Sequence, residues 1–348
     1  MSTGSRRAQA TKPPQGVGSS AHRRAVIHLT ASALIAIDWG TTQARAWRLD
    51  ADGAIRERRA APLGLRMLRG RPFDAALAEL LGPWRGDGAP RLACGMIGSR
   101  QGWIEAPYVE CPASLASLAD RLVETPGGEL MIVPGVATVD ARGVPDAMRG
   151  EETQLLGAVA LGESGVLAVL PGTHSKWARV DHGRVVDFAT FMTGELYTLL
   201  LEHSMLGRVA SGVPGDSSGE PFARGVAHGL GPGELAHDLF AARTLALAGE
   251  LAPDDVAEWL SGLLIGREVR AGLAWAHERG AASGAVRIIA NDALADRYES
   301  ALCDAGMPTE IAADDAAANG LWRIALQAGL TGVRSIGEAV VSDTGRGP

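Results

Sequence analysis

The sequence predicts an α/β protein made of two comparable units, and three observations carry that expectation. The run Ile35-Ala36-Ile37-Asp38-Trp39-Gly40-Thr41-Thr42 is an apolar strand that ends in an acid and a Gly-Thr turn, with a second strand from Ala44 to Asp50 behind it. The same order returns in Val166 to Leu170, Pro171-Gly172-Thr173-His174-Ser175-Lys176 and the strand from Trp177 to Val180, which turns at Asp181-His182-Gly183 into Arg184 to Phe188. In both regions strands alternate with stretches of helical spacing, the mark of α/β architecture. The two copies start roughly 130 residues apart, far too distant for a solenoid. A duplicated domain with one loop per copy accounts for them.

The remaining elements follow from spacing and punctuation. In the first unit Phe73 to Trp84 places Phe73, Leu77, Leu80, Leu81 and Trp84 on one side of a helix. Arg91 to Cys94 is a short strand that opens into the glycine-punctuated loop Gly95 to Trp103. Leu115 to Val123 reads as helix and Leu130 to Val133 as strand. Glu151 opens a helix through Leu155, Leu156 and Val159. In the second unit helices are expected over Glu195 to His203, Gly233 to Ala248 and Pro253 to about Glu278. Pro253 suits a first helical position, Asp254 and Asp255 complement the positive end of the dipole, and Gly280 can cap the far end. Gly262 and Gly266 lie on one face of this helix, where each costs about 1 kcal/mol against alanine. Close packing or close ligand approach must compensate. Val286 to Ala290 is a buried strand, Leu294 to Cys303 a helix and Asn319 to Ala328 the last helix.

Composition narrows the function. The chain has 348 residues and a formal charge of −7, which argues against a nucleic-acid binder. No apolar run approaches the roughly 18 residues of a membrane span. Its three cysteines, Cys94, Cys111 and Cys303, are scattered, so neither a zinc site nor a disulfide framework is indicated and a reducing cytoplasm fits. Residues 1–32 carry Arg6, Arg7, Lys12, Arg23 and Arg24 and no acid, with Pro13-Pro14. They read as a disordered extension, and 337–348 as a disordered tail.

The two loops suit phosphate. Asp38 at a strand end can organise a hydrated Mg²⁺. Gly40 lets backbone N–H groups approach phosphate oxygens, and Thr41, Thr42, Gly172 and Thr173 supply donors. His174 can bond phosphate or pack on its loop. Lys176 can add charge, although a lysine on a strand is ordinarily solvated. Phosphoryl transfer also needs a carboxylate to orient and deprotonate the attacking hydroxyl. Glu151 is the first candidate and Glu152 the second, behind Gly150 at a helix start; acids there also simply complement the dipole. The loop holding Ser99, Arg100 and Trp103, with Tyr108 after it, offers an aromatic wall and polar groups for a small polyol.

Together with these motifs, the runs "ACGMIGSRQGWIEAPYVECPA" at 93–113, "MRGEETQLLGA" at 148–158, "LPGTHSKW" at 170–177, "FMTGELYTLLLEHSMLG" at 191–207 and "WLSGLLIGREV" at 259–269 resemble the 2-dehydro-3-deoxygalactonokinase family, within the sugar kinase, heat-shock protein 70 and actin superfamily. The resemblance covers nearly all of 34–335, in order. It implies two ribonuclease H-like lobes, 33–158 and 159–336, with ATP in the cleft between them. It implies transfer of the γ-phosphate to the 6-hydroxyl of 2-dehydro-3-deoxy-D-galactonate. Kinases for another keto-deoxy or aldonic acid, or a catalytically dead nucleotide-binding regulator, share the fold. Oligomeric state stays open, a homodimer included. The resemblance places the first phosphate motif on Asp38, Gly40, Thr41 and Thr42, and the second on Gly172 and Thr173. The adenosine-contacting turn, often Gly-rich in such kinases, reads Ala290-Asn291-Asp292 here; Asn291 tolerates positive φ, so the turn can survive. Arg66, Arg100 and Arg149 are candidates for the substrate's carboxylate.

Overall fold

The computed structural model describes residues 32–210, 219–281 and 284–332. The disordered stretches expected over 1–32 and 337–348 fall outside these residues, apart from Ser32. In the first half the chain forms β1 (Leu34–Trp39), β2 (Ala44–Leu49), β3 (Ile55–Ala61), α1 (Leu65–Leu68), α2 (Phe73–Leu81), β4 (Arg91–Gly95), β5 (Tyr108–Glu110), β6 (Ala113–Ser114), α3 (Leu115–Ala119), β7 (Val123–Glu124), β8 (Met131–Ile132), β9 (Gly135–Val139), β10 (Pro145–Met148) and α4 (Glu151–Ala158). The second half forms β11 (Val166–Leu170), β12 (Ser175–Asp181), β13 (Arg184–Phe191), α5 (Thr193–His203), α6 (Glu220–Leu230), α7 (Leu235–Asp238), α8 (Ala241–Leu247), α9 (Val256–Glu278), β14 (Val286–Ile288), α10 (Asp292–Asp304), β15 (Thr309–Ile311) and α11 (Ala316–Gln327).

The duplication read from the two loops is a duplication of topology. The first sheet runs β3-β2-β1-β4-β8-β7, with β1 antiparallel to β2 and parallel to β4. The second runs β15-β14-β11-β12-β13-β6, with β11 antiparallel to β12 and parallel to β14. Each half is therefore a three-stranded meander extended by two parallel strands, the ribonuclease H-like pattern. The central strands β1 and β11 are covered on both faces, which is why they are nearly continuous apolar runs. A third, three-stranded sheet, β10-β9-β5, packs beside β13, with Asp146 accepting from Thr190 N and Oγ1 at 2.7 Å.

The halves are sewn together. Strand β6 joins the edge of the second sheet, with Ser114 opposite Arg184 and Ala113 opposite Val185. Helix α11 returns to the first half, packing on α4, β1 and β4. A Cβ added at Gly157 would lie 1.9 Å from the Ala316 carbonyl, and one at Gly320 1.9 Å from that of Thr153, so α4 and α11 touch backbone to backbone. One core spans the junction, running from Leu34 and Leu92 through Leu155 and Leu321 to Leu170 and Val180.

The long helix α9 spans Val256–Glu278 after a 3-10 turn at Pro253–Asp255, and its glycines are explained by packing. Added Cβ atoms at Gly262 and Gly266 would sit 2.1 Å from the Phe222 carbonyl and 2.6 Å from that of Val226; those at Gly225 and Gly229 would meet Trp259 and Leu263 carbonyls at 2.1 and 2.4 Å. Tertiary packing on α9 thus makes a helix of α6, which local propensity did not suggest. Three expectations need correction. The helix expected over Gly233 to Ala248 is broken into α7 and α8, where Asp238 turns inward to pair with Arg267 of α9. The helix from Leu115 ends at Ala119, because β-branched Val123 is taken into the sheet opposite Ile132. Asn291 has φ −70°, not positive φ: it caps α10, its side chain accepting from Leu294 N at 3.1 Å.

Candidate active site

The site begins at the end of β1. Asp38 is buried there, opposite Arg45 of β2, whose half-exposed guanidinium bonds its carboxylate. The turn between them is pinned from outside: the carbonyls of Gly40, Thr41 and Thr42 accept from Leu65, Arg66 and Gly64 N–H groups at 3.1, 2.9 and 3.1 Å. Thr42 is exposed and Thr41 half-buried. Behind Asp38, Cys94 lies with Sγ 3.9 Å from Oδ1. Burial, then the nearby Asp38 and Glu152 charges, push its thiol well above the usual range, so it stays neutral and inert.

Two glycines bring α4 to this point. Gly95 has φ +93°, and a Cβ on it would stand 2.8 Å from the Trp39 carbonyl and 3.2 Å from Asp38 Oδ1. Gly150, the residue before α4, has φ +105°, and its Cβ would stand 3.0 Å from Gly95 Cα. Only a glycine pair allows this approach. The two glutamates that follow then diverge. Glu152 is fully buried, accepting from Gly150 N at 2.6 Å and Thr153 Oγ1 at 2.9 Å. Burial, reinforced by Glu151, pushes its carboxyl up to about 8. Glu151 keeps 27% of its side chain exposed; Oε2 accepts from Arg149 N at 2.9 Å, and Oε1 lies 3.4 Å from Lys176 Nζ.

That lysine comes from the second half. Lys176 is 4% exposed, not solvated as a strand lysine ordinarily is, and donates to the His174 carbonyl at 3.1 Å. Its charge crosses to Glu151, so an ion pair joins the two halves at this point. Around it the second loop is held firmly. Ser175 Oγ meets Tyr298 OH at 3.0 Å, and buried Glu268 accepts from Tyr298 OH at 2.7 Å and Trp177 Nε1 at 2.9 Å. The N-terminus of the eleven-residue helix α5 abuts the loop: Glu195 N donates to the Thr173 carbonyl at 2.9 Å, and a Cβ at Gly194 would lie 2.4 Å from the Gly172 carbonyl. His174 Nε2 bonds the Glu195 carboxylate. Gly172 and Thr173 stay accessible, with open space beside the Gly172 Cα.

Two cavities flank this loop. One, of about 580 Å³, joins the halves: Arg45 and Trp47 of β2 face Pro171, Asn291, Asp292, Asp314 and Asp315 across it. Gly40 does not line it. The other, of about 240 Å³, is mainly apolar and lies within the second half, between Gly172, Gly194, Tyr197, Leu264, Ile265 and Leu294.

The sequence-named polyol residues divide. Trp103 stacks on Phe73, with centroids 5.8 Å apart, and joins the core under the first sheet. Arg66 and Arg100 are exposed. Arg149 is buried, its Nη2 donating to the Ala106 carbonyl at 2.8 Å and its guanidinium 4.3 Å from the centroid of the exposed Tyr108 ring. Ser99 is half-buried beside them. Arg45, Asp314 and the apolar slot around Tyr197 went unnoticed in the sequence. Arg45 had a signal: a hairpin with a four-residue turn after Trp39 places it opposite Asp38.

Comparison with known proteins identifies the family. The profile of a family described as 2-keto-3-deoxy-galactonokinase matches residues 38–324. The 2-dehydro-3-deoxygalactonokinase of Escherichia coli K12 is 39% identical over 309 residues, covering 88% of this chain and 98% of the relative. A Sinorhizobium meliloti crystal structure, of a protein assigned as a 2-dehydro-3-deoxygalactonokinase, superposes with a TM-score of 0.76 at 36% identity, covering 84% of this chain and 98% of that one.

Proposed function

The chain belongs to the 2-keto-3-deoxy-galactonokinase family, and on that premise we infer which of its residues do which part of the work. The reaction is ATP-dependent phosphorylation of 2-dehydro-3-deoxygalactonate in galactonate catabolism. Glu151 is the base. It takes the proton of the substrate's 6-hydroxyl as that oxygen bonds to the γ-phosphorus and the bond to the ADP oxygen breaks. The observation that carries this is its position: a half-exposed carboxylate fixed from one side by Arg149 N and from the other by Lys176 of the opposite half. Glu152 is closed off from substrate and holds the turn that presents Glu151.

Phosphate is gripped from both halves, by the turn Gly40 to Thr42 and by Gly172, Thr173, His174 and the N-terminus of α5. Lys176 acts on the reaction by holding Glu151. Arg45, paired with Asp38, lines the 580 Å³ cavity and could turn from that pair to the phosphate. The apolar cavity beside Gly172 takes the nucleobase, and Asn291 fixes the helix that forms one wall. Mg²⁺ suits the donors present. Among the described residues no cluster of three or more His, Cys, Asp or Glu side chains could hold a metal, and Mg²⁺ in such sites rests on one or two carboxylates plus phosphates and water. Asp38 would hold it, and the ion would neutralise phosphate charge.

Among the described residues no helix is long and apolar enough to cross a membrane. The reading places the enzyme in the cytoplasm, with ATP and the sugar acid as its partners.

A coupled ADP-release assay over a panel of keto-deoxy and aldonic acids separates this reading from a kinase of another acid, or from a dead regulator that binds ATP and turns nothing over. With the galactonate-derived acid, Glu151→Gln should lower kcat by roughly 10²–10⁴ with the melting temperature kept, while Glu152→Gln stays within tenfold of the parent. The reverse ranking would transfer the base to Glu152.

A further inference from the structure

Arg149 is the most under-used charge in the protein. It is 8% exposed, yet its Nε and Nη1 have no hydrogen-bond partner and are sealed from solvent. Only Nη2 is engaged, by a neutral carbonyl. Arg267, which also has an orphaned Nε, is neutralised by Asp238. Arg91, with a third, is only half-buried. No carboxylate pairs with Arg149 among the described residues. A buried cation left half-paired is costly, and such groups in folded proteins ordinarily find a partner. A second orphan lies one residue along the chain from Gly98, which abuts the guanidinium: Ser99 Oγ is buried without a partner. Gly98 lets the backbone pass close to the guanidinium: a Cβ there would stand 2.8 Å from Ile132 Cγ2 and 3.1 Å from Arg149 Nη1. The cover over the guanidinium is the Tyr108 ring, 43% exposed and stacked on it face to cation.

We propose that Arg149 and Ser99 form the seat for the substrate's carboxylate, with Tyr108 as a cap that swings aside to admit it, so that the enzyme selects sugar acids over neutral sugars. This rests on the kinase reading above and picks one of the three arginines that could serve. The guanidinium brings the charge and Nη1 the hydrogen bonds; the Ser99 hydroxyl adds a donor. Arg66 and Arg100, exposed to water, lack this selectivity. The seat is also next to the chemistry. The backbone N–H of Arg149 holds Glu151, so one end of a short linear acid anchors two residues from the group that deprotonates the other. A neutral ligand would leave the guanidinium as unpaired as it is in the free protein, so only an acid gains from the seat.

The test is calorimetric and kinetic on the full chain. The parent should bind 2-dehydro-3-deoxygalactonate at least tenfold more tightly than its uncharged methyl ester. Arg149→Gln should raise KM for the acid by roughly 10²-fold, leave KM for ATP within twofold, and abolish the acid-over-ester preference. Tyr108→Ala should raise KM for the acid several-fold with kcat retained. If Arg149→Gln fails to fold, Arg149→Lys, which keeps charge and loses the fork, should weaken the acid by about tenfold. An Arg149→Gln or Arg149→Lys variant with parental KM and parental preference overturns the seat. If the parent turns over no acid, the kinase reading fails by itself; acid binding that persists unchanged in the Arg149 variants would then overturn the seat separately.

Discussion

The two β-hairpins at the centre of this protein share one topology and treat charge in opposite ways. In the first, the acid and the base lie on the same hairpin: Asp38 of β1 faces Arg45 of β2 and bonds it. In the second, the corresponding strand end is apolar. Leu170 faces Lys176, which has no acid opposite it on its own hairpin and reaches over to Glu151 of the other half. The first hairpin is self-contained and free to organise an ion and phosphate. The second is tied by its lysine to the carboxylate that does proton transfer, so the halves divide cation handling from base positioning. Duplication supplied the scaffold twice, and the side chains at the strand ends made the copies unequal.

The comparison can be broken from either side. Asp38→Asn should have the largest effect, a loss of turnover on the order of 10³-fold or more with folding preserved, the scale on which a charged element of phosphoryl transfer is felt. ADP release with Mg²⁺ titrated from micromolar to millimolar measures it, and unchanged turnover would remove Asp38 from the mechanism. Lys176→Met should lower kcat by roughly 10-fold or more in the parent and by much less in a Glu151→Gln background, because neighbouring groups that act together are not additive. Equal losses in both backgrounds would show that Lys176 acts on phosphate and not through Glu151.

The smallest effect on turnover belongs to Glu152, but it leaves a pH signature. Burial holds its folded pKa near 8, above the ordinary 4.5. Between those values the folded state keeps a proton that the unfolded state has lost. The stability it contributes is therefore complete below about pH 4.5, falls as pH rises to about 8, and is level beyond. Glu152→Gln, a neutral isostere, should flatten this slope. At pH 8 it should be the more stable protein, by on the order of a few kcal/mol in urea unfolding. A parallel pH dependence in parent and variant would show that Glu152 is ionised in the fold.

Much of this was legible in the chain because its signals are local. A strand that ends in Asp38 or Pro171, a Gly-Thr turn and the strand after it are written in consecutive residues, and the long helix α9 carries its own start and stop signals. The choice between Glu151 and Glu152 was not local. They are adjacent, with the same dipole and the same helix turn, and differ only because the Gly95–Gly150 contact rolls one into the core and leaves the other facing Lys176. Lys176 looked solvated for a similar reason: the carboxylate it pairs with comes from the other half. Helix α6 was invisible because its glycines are poor helix formers alone and good ones only against the glycines of α9. Asn291 showed how a correct residue can be given the wrong geometry, a cap where a left-handed turn was expected.

Helix α11 has one more consequence. The last helix among the described residues roofs the first strand, the one that carries Asp38. Shortening the protein from its far end, even by cutting just ahead of Ala316, would strip the cover from Leu34 and Ala36 and expose oily surface directly behind the phosphate grip. A chain shortened that far keeps the motif that carries Asp38 but loses the packing that sets it.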